Sequence, residues 1–197
     1  MSLKSNYGTF IDRSINELRT GRPIVIKENK NYWMFFNIEH SENKILNQFN
    51  KYLLKEKYLL ITKQKAQSIF NNKITSNIFL KIDEKISNKS ILNLFINPLS
   101  NQNKLLFKDV VHNKSRDFHN VCLDIAKNAK VIPSLIFKKI NSKYYKNIDN
   151  LILQLGLLKF NHKELKNQNK FITNSIKLVS SANVPLPNVA STTFNIF

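Results

Sequence analysis

A single α/β domain, a mixed sheet flanked by helices, is the fold class this sequence predicts, and three observations point to it. Short strand-like apolar runs alternate with helically spaced apolar residues over most of the chain. Hydrophobic residues make up 42% of the 197 positions, with 14 Phe and 6 Tyr, enough to bury a core. No run reaches the ~18 apolar residues that a membrane span requires.

The elements follow in order. Ile11, Ile15 and Leu18 share one face of a helix over residues 10–20, with Thr9 placed to cap it and Gly21 to stop it. Pro23 to Ile26 reads as a short strand and Tyr32 to Phe36 as a second, joined by a polar turn from Lys27 to Asn31. Ile45, Leu46, Phe49, Tyr52 and Leu53 predict an amphipathic helix over 42–55, with Ser41 as its N-cap. Tyr58 to Ile61 is a buried strand, a short helix covers 63–70, and Ile78, Leu80 and Ile82 alternate as a strand does.

Residues 83–111, rich in Asn, Ser and Lys and holding Pro98, give the weakest signal, and the Lys/Asn-rich stretches 83–104 and 138–150 are expected to be surface loops. Phe118, Val121, Cys122, Ile125 and Ala129 predict a helix over 114–129. After Pro133 comes a strand from Ser134 to Phe137. A helix carrying Ile148, Leu151, Ile152 and Leu155 follows and stops at Gly156. Leu157 to Phe160 is strand-like, and residues 162–172 form the last helix. Ile176 to Val179, then Pro185 and Pro187, lead to an extended end at Thr193 to Phe197.

Residues for metal or thiol chemistry are few and wrongly spaced. Cys122 stands alone, which excludes an internal disulfide and a cysteine-based zinc cage and marks it as a small core residue. His40, His112, His119 and His162 form no H-E-x-x-H pattern. The segment before Asp12 and Arg13 has no apolar stretch of signal-peptide length, so a cytosolic protein is expected.

The formal charge of +18 suggests polyanions as partners, but among 31 basic residues only Arg13, Arg19, Arg22 and Arg116 are arginine. Nucleic-acid surfaces favour arginine's bidentate fork and cluster their charge. Here the lysines are spread from Lys4 to Lys177, and Lys, Asn and Ile dominate throughout, as the codons of an AT-rich genome would produce. Non-specific, salt-sensitive attraction to polyanions is still expected. The best local candidate for a stacking platform is Phe137, Tyr144 and Tyr145 among Lys138, Lys139, Lys143 and Lys146, against the simpler reading of a strand edge and solvated loop.

The order of elements resembles the 3,4-dihydroxy-2-butanone 4-phosphate synthases. Ser14 to Ile26, with its Leu18-Arg19-Thr20-Gly21-Arg22 step, is similar to that family's opening helix and first strand, and Met34 to Glu39 to the next strand. Helix 42–55 with Tyr58 to Thr62, then Cys122 to Pro133 leading into Leu135 to Phe137, then Gly156 to Phe160 with helix 162–172, resemble its later elements. Val179 to Leu186, followed by Thr193 to Phe197, resembles the junction between a degenerate synthase-like domain and the catalytic domain of bacterial, especially alphaproteobacterial, GTP cyclohydrolase II proteins. The resemblance implies a synthase-like α/β domain over 10–173 and, over 174–197, an extension towards a cyclohydrolase domain that is not in this sequence.

Departures from that pattern set the functional expectation. The family holds magnesium with oxygen donors from an acidic loop between its first two strands. Here the matching turn, Lys27 to Asn31, keeps only Glu28. The family's second ligand is a histidine at the start of the helix matched by 118–129. Counting back from Pro133 and Asp124 puts Phe118 there and Asn120 at the neighbouring acidic position. His119 is offset by one residue, about 100° around a helix, and reads as a solvent-facing or capping residue. Three glycines (Gly8, Gly21, Gly156) are too few for a backbone cradle around a sugar phosphate. One cysteine likewise cannot supply the three that hold zinc in the cyclohydrolase half.

No catalytic, cofactor-binding or metal residue is therefore assigned, and no cofactor is expected. The reading is a riboflavin-biosynthesis-related module, inactive alone, that forms a homodimer or assists a separately encoded GTP cyclohydrolase II domain, with no membrane association. Residual synthase activity on ribulose 5-phosphate and a lysine-rich nucleic-acid-binding protein are the alternatives.

Overall fold

Helix α1 (Lys4–Arg19) and the strand after it are joined by a Schellman turn. Gly21 adopts φ +75°, its N–H donates to Leu18 O at 3.2 Å, and the Arg22 N–H donates to Glu17 O at 2.8 Å. The stop is where the sequence places it, but the start is earlier. Lys4 to Tyr7 contain no proline, a helix tolerates Gly8 at a cost of about 1 kcal/mol, and Thr9 therefore lies inside the helix rather than capping it. The structure, a computed structural model, describes residues 4–40, 44–70, 74–96, 112–114, 117–163, 180–183 and 193–196.

Strands β1 (Ile24–Glu28) and β2 (Asn31–Asn37) form an antiparallel hairpin paired up to Glu28 and Asn31. The turn is thus only Asn29-Lys30, with Asn29 at φ +53°, a conformation asparagine tolerates better than most residues. The expected helix over 42–55 is cut short: α2 (Lys44–Phe49) passes through a 3-10 turn (Asn50–Tyr52) into β3 (Leu53–Ile61). Leu53 pairs with Ile140, and pairing resumes beyond a bulge from Lys57 to Ile61. Tertiary pairing here outweighs the helical spacing of Tyr52 and Leu53. Ser41, expected to cap this helix, lies outside the described residues.

After α3 (Lys63–Phe70) and β4 (Ile78–Ile82) comes a helix where loop was expected, α4 (Asn88–Ile96). Ser87 caps it, its Oγ accepting the Ser90 N–H at 3.0 Å, and Ile91 and Leu94 are buried. The short strand β5 (His112–Lys114) precedes α5 (Asp117–Asn128). Lys130 closes α5 at φ +57°, with its own N–H bonded to Lys127 O and the Val131 N–H to Ala126 O. A side chain is strained in that conformation, so Lys130→Gly is expected to raise stability by about 0.5–1 kcal/mol, readable as a higher urea midpoint with unchanged slope.

Strand β6 (Ser134–Ile140) lies at the centre of the sheet, and the expected loop beyond it is a 3-10 segment (Ser142–Asn147) followed by α6 (Ile148–Gln154). Gly156, at φ +59°, ends α6 before β7 (Leu158–Asn161). The sheet order is β5-β4-β3-β6-β2-β1-β7, antiparallel except for the parallel pair β1–β7. This is the mixed sheet flanked by helices that the sequence predicts.

Register separates its two faces. One carries Ile24, Ile26, Phe35, Phe137 and Phe160, and α5 packs on it and against α1. On the other, Leu59, Ile61, Leu80 and Ile136 pack with Ala66 and Ile69 of α3 and Ile91 and Leu94 of α4. Val25, Met34 and Ile140 pack there with Ile148 and Ile152 of α6.

Residues 1–166 form one compact unit and 167–197 a second. In the second, β8 (Ser180–Asn183) and β9 (Thr193–Ile196) pair antiparallel. The helix expected from 162 to 172 lies beyond the described residues after Lys163. No described helix is long and apolar enough to cross a membrane.

Candidate functional site

Residues that the sequence sets at the synthase-like site meet on the face under α5. Glu28 ends β1 and is only 6% exposed. The hairpin brings Trp33 diagonally beside it, and Trp33 Nε1 donates to Glu28 Oε2 at 3.2 Å. Trp33 sets its ring edge-on to Tyr58 and Phe79, which themselves stack at 5.1 Å. Phe79 in turn stacks on His119, with ring centroids 4.3 Å apart, and Phe118 and Phe137 enclose His119 at 4.1 and 5.5 Å. A ring-lined path therefore links Glu28 to His119.

His119 corrects the sequence reading: it is buried, 3% exposed, rather than facing solvent or capping. Rotation by about 100° on α5 does not reach water, because the helix also buries Phe118, Val121, Cys122, Leu123, Ile125 and Ala126. Both Phe118 and its neighbour thus go into the core. Asn120 is half-buried and accepts the Asn77 amide at 2.9 Å, while Asn77 Oδ1 accepts the Lys63 N–H at 2.8 Å, tying α5 to α3 and β4. His162 Nδ1 lies 3.2 Å from Lys27 O beside the Phe118 ring. Among the described residues no three His, Cys, Asp or Glu side chains gather at metal-binding distance.

Cys122 is the core residue the sequence suggests, fully buried, and burial pushes its thiol well above the ordinary range. The aromatic and basic cluster proposed as a stacking platform is not brought together. Phe137 is 1% exposed inside the sheet, and Tyr145 packs edge-on to Tyr32, its hydroxyl accepting the Tyr32 N–H. Tyr144 packs on Tyr52.

Sequence reasoning passed over a feature of the opposite face. Lys57 and Lys138 are direct cross-strand partners, and Lys57 is only 8% exposed. Lys57 Nζ donates to Ile86 O, and Lys138 Nζ reaches Asn50 Oδ1 at 3.5 Å. Burial lowers the pKa of both; the Lys138 charge lowers Lys57 further, while Asp83 and Glu84 oppose the shift at Lys57 and Glu84 opposes it at Lys138. Alternation of Lys57 with Leu59 and Ile61 turns Lys57 inward, but its pairing with Lys138 depends on register beyond the bulge, which no local pattern encodes.

The sign of the linkage is set by that depression. Between the lowered folded values and the ordinary lysine value near 10.4, the unfolded chain binds more protons, so stability from this pair rises with pH across that window. Removing one charge with Lys138→Met is expected to flatten the rise, checked by comparing unfolding midpoints of the two proteins at pH 7 and pH 10.

No family model matches this chain. The small ribosomal subunit protein uS3m of Vanderwaltozyma polyspora is 28% identical over 111 residues, covering 54% of this chain and 49% of that protein. This chain thus spans about half the length of that curated relative. Among solved structures, RibBX, a two-domain 3,4-dihydroxy-2-butanone 4-phosphate synthase from A. baumannii, superposes with TM-score 0.55 at 10% identity, over 94% of this chain and 65% of that one. The 3,4-dihydroxy-2-butanone 4-phosphate synthase of Candida albicans gives TM-score 0.50 at 11% identity, over 80% and 95%. At such identities the likeness is one of architecture: the chain has the α/β fold seen in 3,4-dihydroxy-2-butanone 4-phosphate synthases.

Proposed function

We propose that this chain is a riboflavin-biosynthesis-related, synthase-like module whose substrate site has been rebuilt as packing, and that it acts through a partner. The observation that carries this reading is His119, stacked on Phe79 and enclosed by Phe118 and Phe137. At the start of the helix where the resemblance implies a magnesium ligand, the chain spends both Phe118 and His119 on its core. The resemblance also implies an acidic loop, and the remaining carboxylate, Glu28, accepts the Trp33 indole N–H.

Partners in this reading are a second copy of the chain or a separately encoded GTP cyclohydrolase II domain, in the cytosol. Light scattering of the purified chain, alone and mixed with a purified GTP cyclohydrolase II, tests it. A dimer or a mixed complex is the expected result; a strict monomer in both samples contradicts the partner role.

A second reading, an RNA-binding protein, is favoured by the +18 charge and by the likeness to a small ribosomal subunit protein. The Lys-, Asn- and Ile-rich composition of this chain weakens it, because such a bias by itself supplies charge without a dedicated binding surface. Binding that is sequence-selective and survives physiological salt would move this reading ahead of the first.

A further inference from the structure

On the sheet face opposite α5, we propose a binding site for a small oxyanion, a phosphate or carboxylate group carried on a hydroxyl-bearing molecule. A cavity of about 460 Å³ opens there between α2, α4 and the sheet, within the usual range for small-molecule sites. Its polar lining is one ammonium, Lys138, and three side-chain amides, Asn47, Asn50 and Asn88, while Phe36 and Leu46 give it an apolar wall. Among the described residues, no carboxylate lines it.

The lining matches an anion in charge and geometry. Lys138 stands directly opposite Lys57, so two positive charges share one face at cross-strand distance, an arrangement that destabilises a sheet. Among the described residues neither ammonium is in an ion pair with a carboxylate. Asp83 and Glu84, which bear on the pair electrostatically, are exposed. Lys138 Nζ reaches Asn50 Oδ1 at 3.5 Å, the outer limit of a hydrogen bond. An oxyanion at Lys138 would neutralise the repulsion and take charge-assisted hydrogen bonds from the ammonium and the amides. Asn50 already donates to Asn47 Oδ1 at 3.4 Å and accepts from Lys138 at 3.5 Å, long bonds that a ligand can replace. Amides carry both donors and acceptors, which suits hydroxyl groups beside the anion. This site lies on the face away from His119 and Glu28, so it stands whether or not the proposed function does.

Thermal unfolding of the full chain with inorganic phosphate or glycerol 3-phosphate, against sodium chloride at equal ionic strength, tests the proposal. Millimolar binding is expected to raise the unfolding temperature by about 3 °C at 10 mM ligand, more for glycerol 3-phosphate than for phosphate. Lys138→Met and Asn88→Ala should each abolish the difference, while Lys81→Met, an exposed lysine on the other face, should keep it. Should Lys138→Met fail to fold, Asn88→Ala and the Lys138 side-chain resonances of the wild-type protein under phosphate titration carry the test. An equal rise in chloride, or a rise that Asn88→Ala leaves intact together with unmoved Lys138 resonances, overturns the proposal.

Discussion

Phe137→Ala is expected to destabilise the protein by about 3–5 kcal/mol, lowering the thermal midpoint by roughly 6–20 °C. Phe137 sits at the middle of β6, 1% exposed, and stacks on Phe35 at 5.0 Å with the rings only 16° from parallel. It also meets Phe79 edge-on at 5.4 Å and forms one wall around His119. Truncation would leave a cavity between the rings of Phe35, Phe79 and His119 and would forfeit the ring contacts as well. Urea unfolding followed by circular dichroism measures the loss. A cost below about 1 kcal/mol would show that these rings do not form a packed core.

Gly21→Ala is the second large effect, at about 2–4 kcal/mol. Two costs act together. The φ of +75° is left-handed, where a Cβ meets its own backbone, and a Cβ built there would lie 2.7 Å from both Cβ and Cγ of His40. His40 has little room to yield, being half-buried against this turn. Because the turn joins α1 to β1, the strain falls where the helix is aimed onto the sheet. Serine or asparagine at this position should also destabilise, asparagine least for its tolerance of left-handed φ. Equal stability of Gly21→Ala and wild type in urea would refute this account of the turn.

Much of the fold was legible because local and tertiary preferences agree. Gly21 and Gly156 end their helices where the sequence puts the stops, and the period of Val121, Cys122 and Ile125 gives α5. Where they disagree, tertiary contacts won. Tyr52 and Leu53 have helical spacing, yet β6 offers a long strand to pair with, so Leu53 joins β3. Helix α4 was hidden by Asn- and Lys-rich composition, although Ser87 before Ser90, Ile91 and Leu94 is a cap followed by a helical apolar stripe.

The candidate site was half legible. Aligned spacing brought Glu28, Phe118 and His119 into one argument, and the structure does set them on one sheet face. The orientation of His119 was misread because a single offset of about 100° was equated with exposure, and α5 is buried over more than that arc. The Lys57–Lys138 pair was out of reach, since it depends on the register of β3 against β6 past a bulge, which no local pattern encodes.

In the proposed reading, a synthase-like fold carries packing where a substrate site would be. Incubating the purified chain with ribulose 5-phosphate and magnesium and following formate is the most direct test. The account predicts formate at the level of the protein-free blank. Magnesium-dependent formate release that Glu28→Gln or His119→Ala abolishes would contradict it, because those side chains would then be holding a reaction together rather than a core.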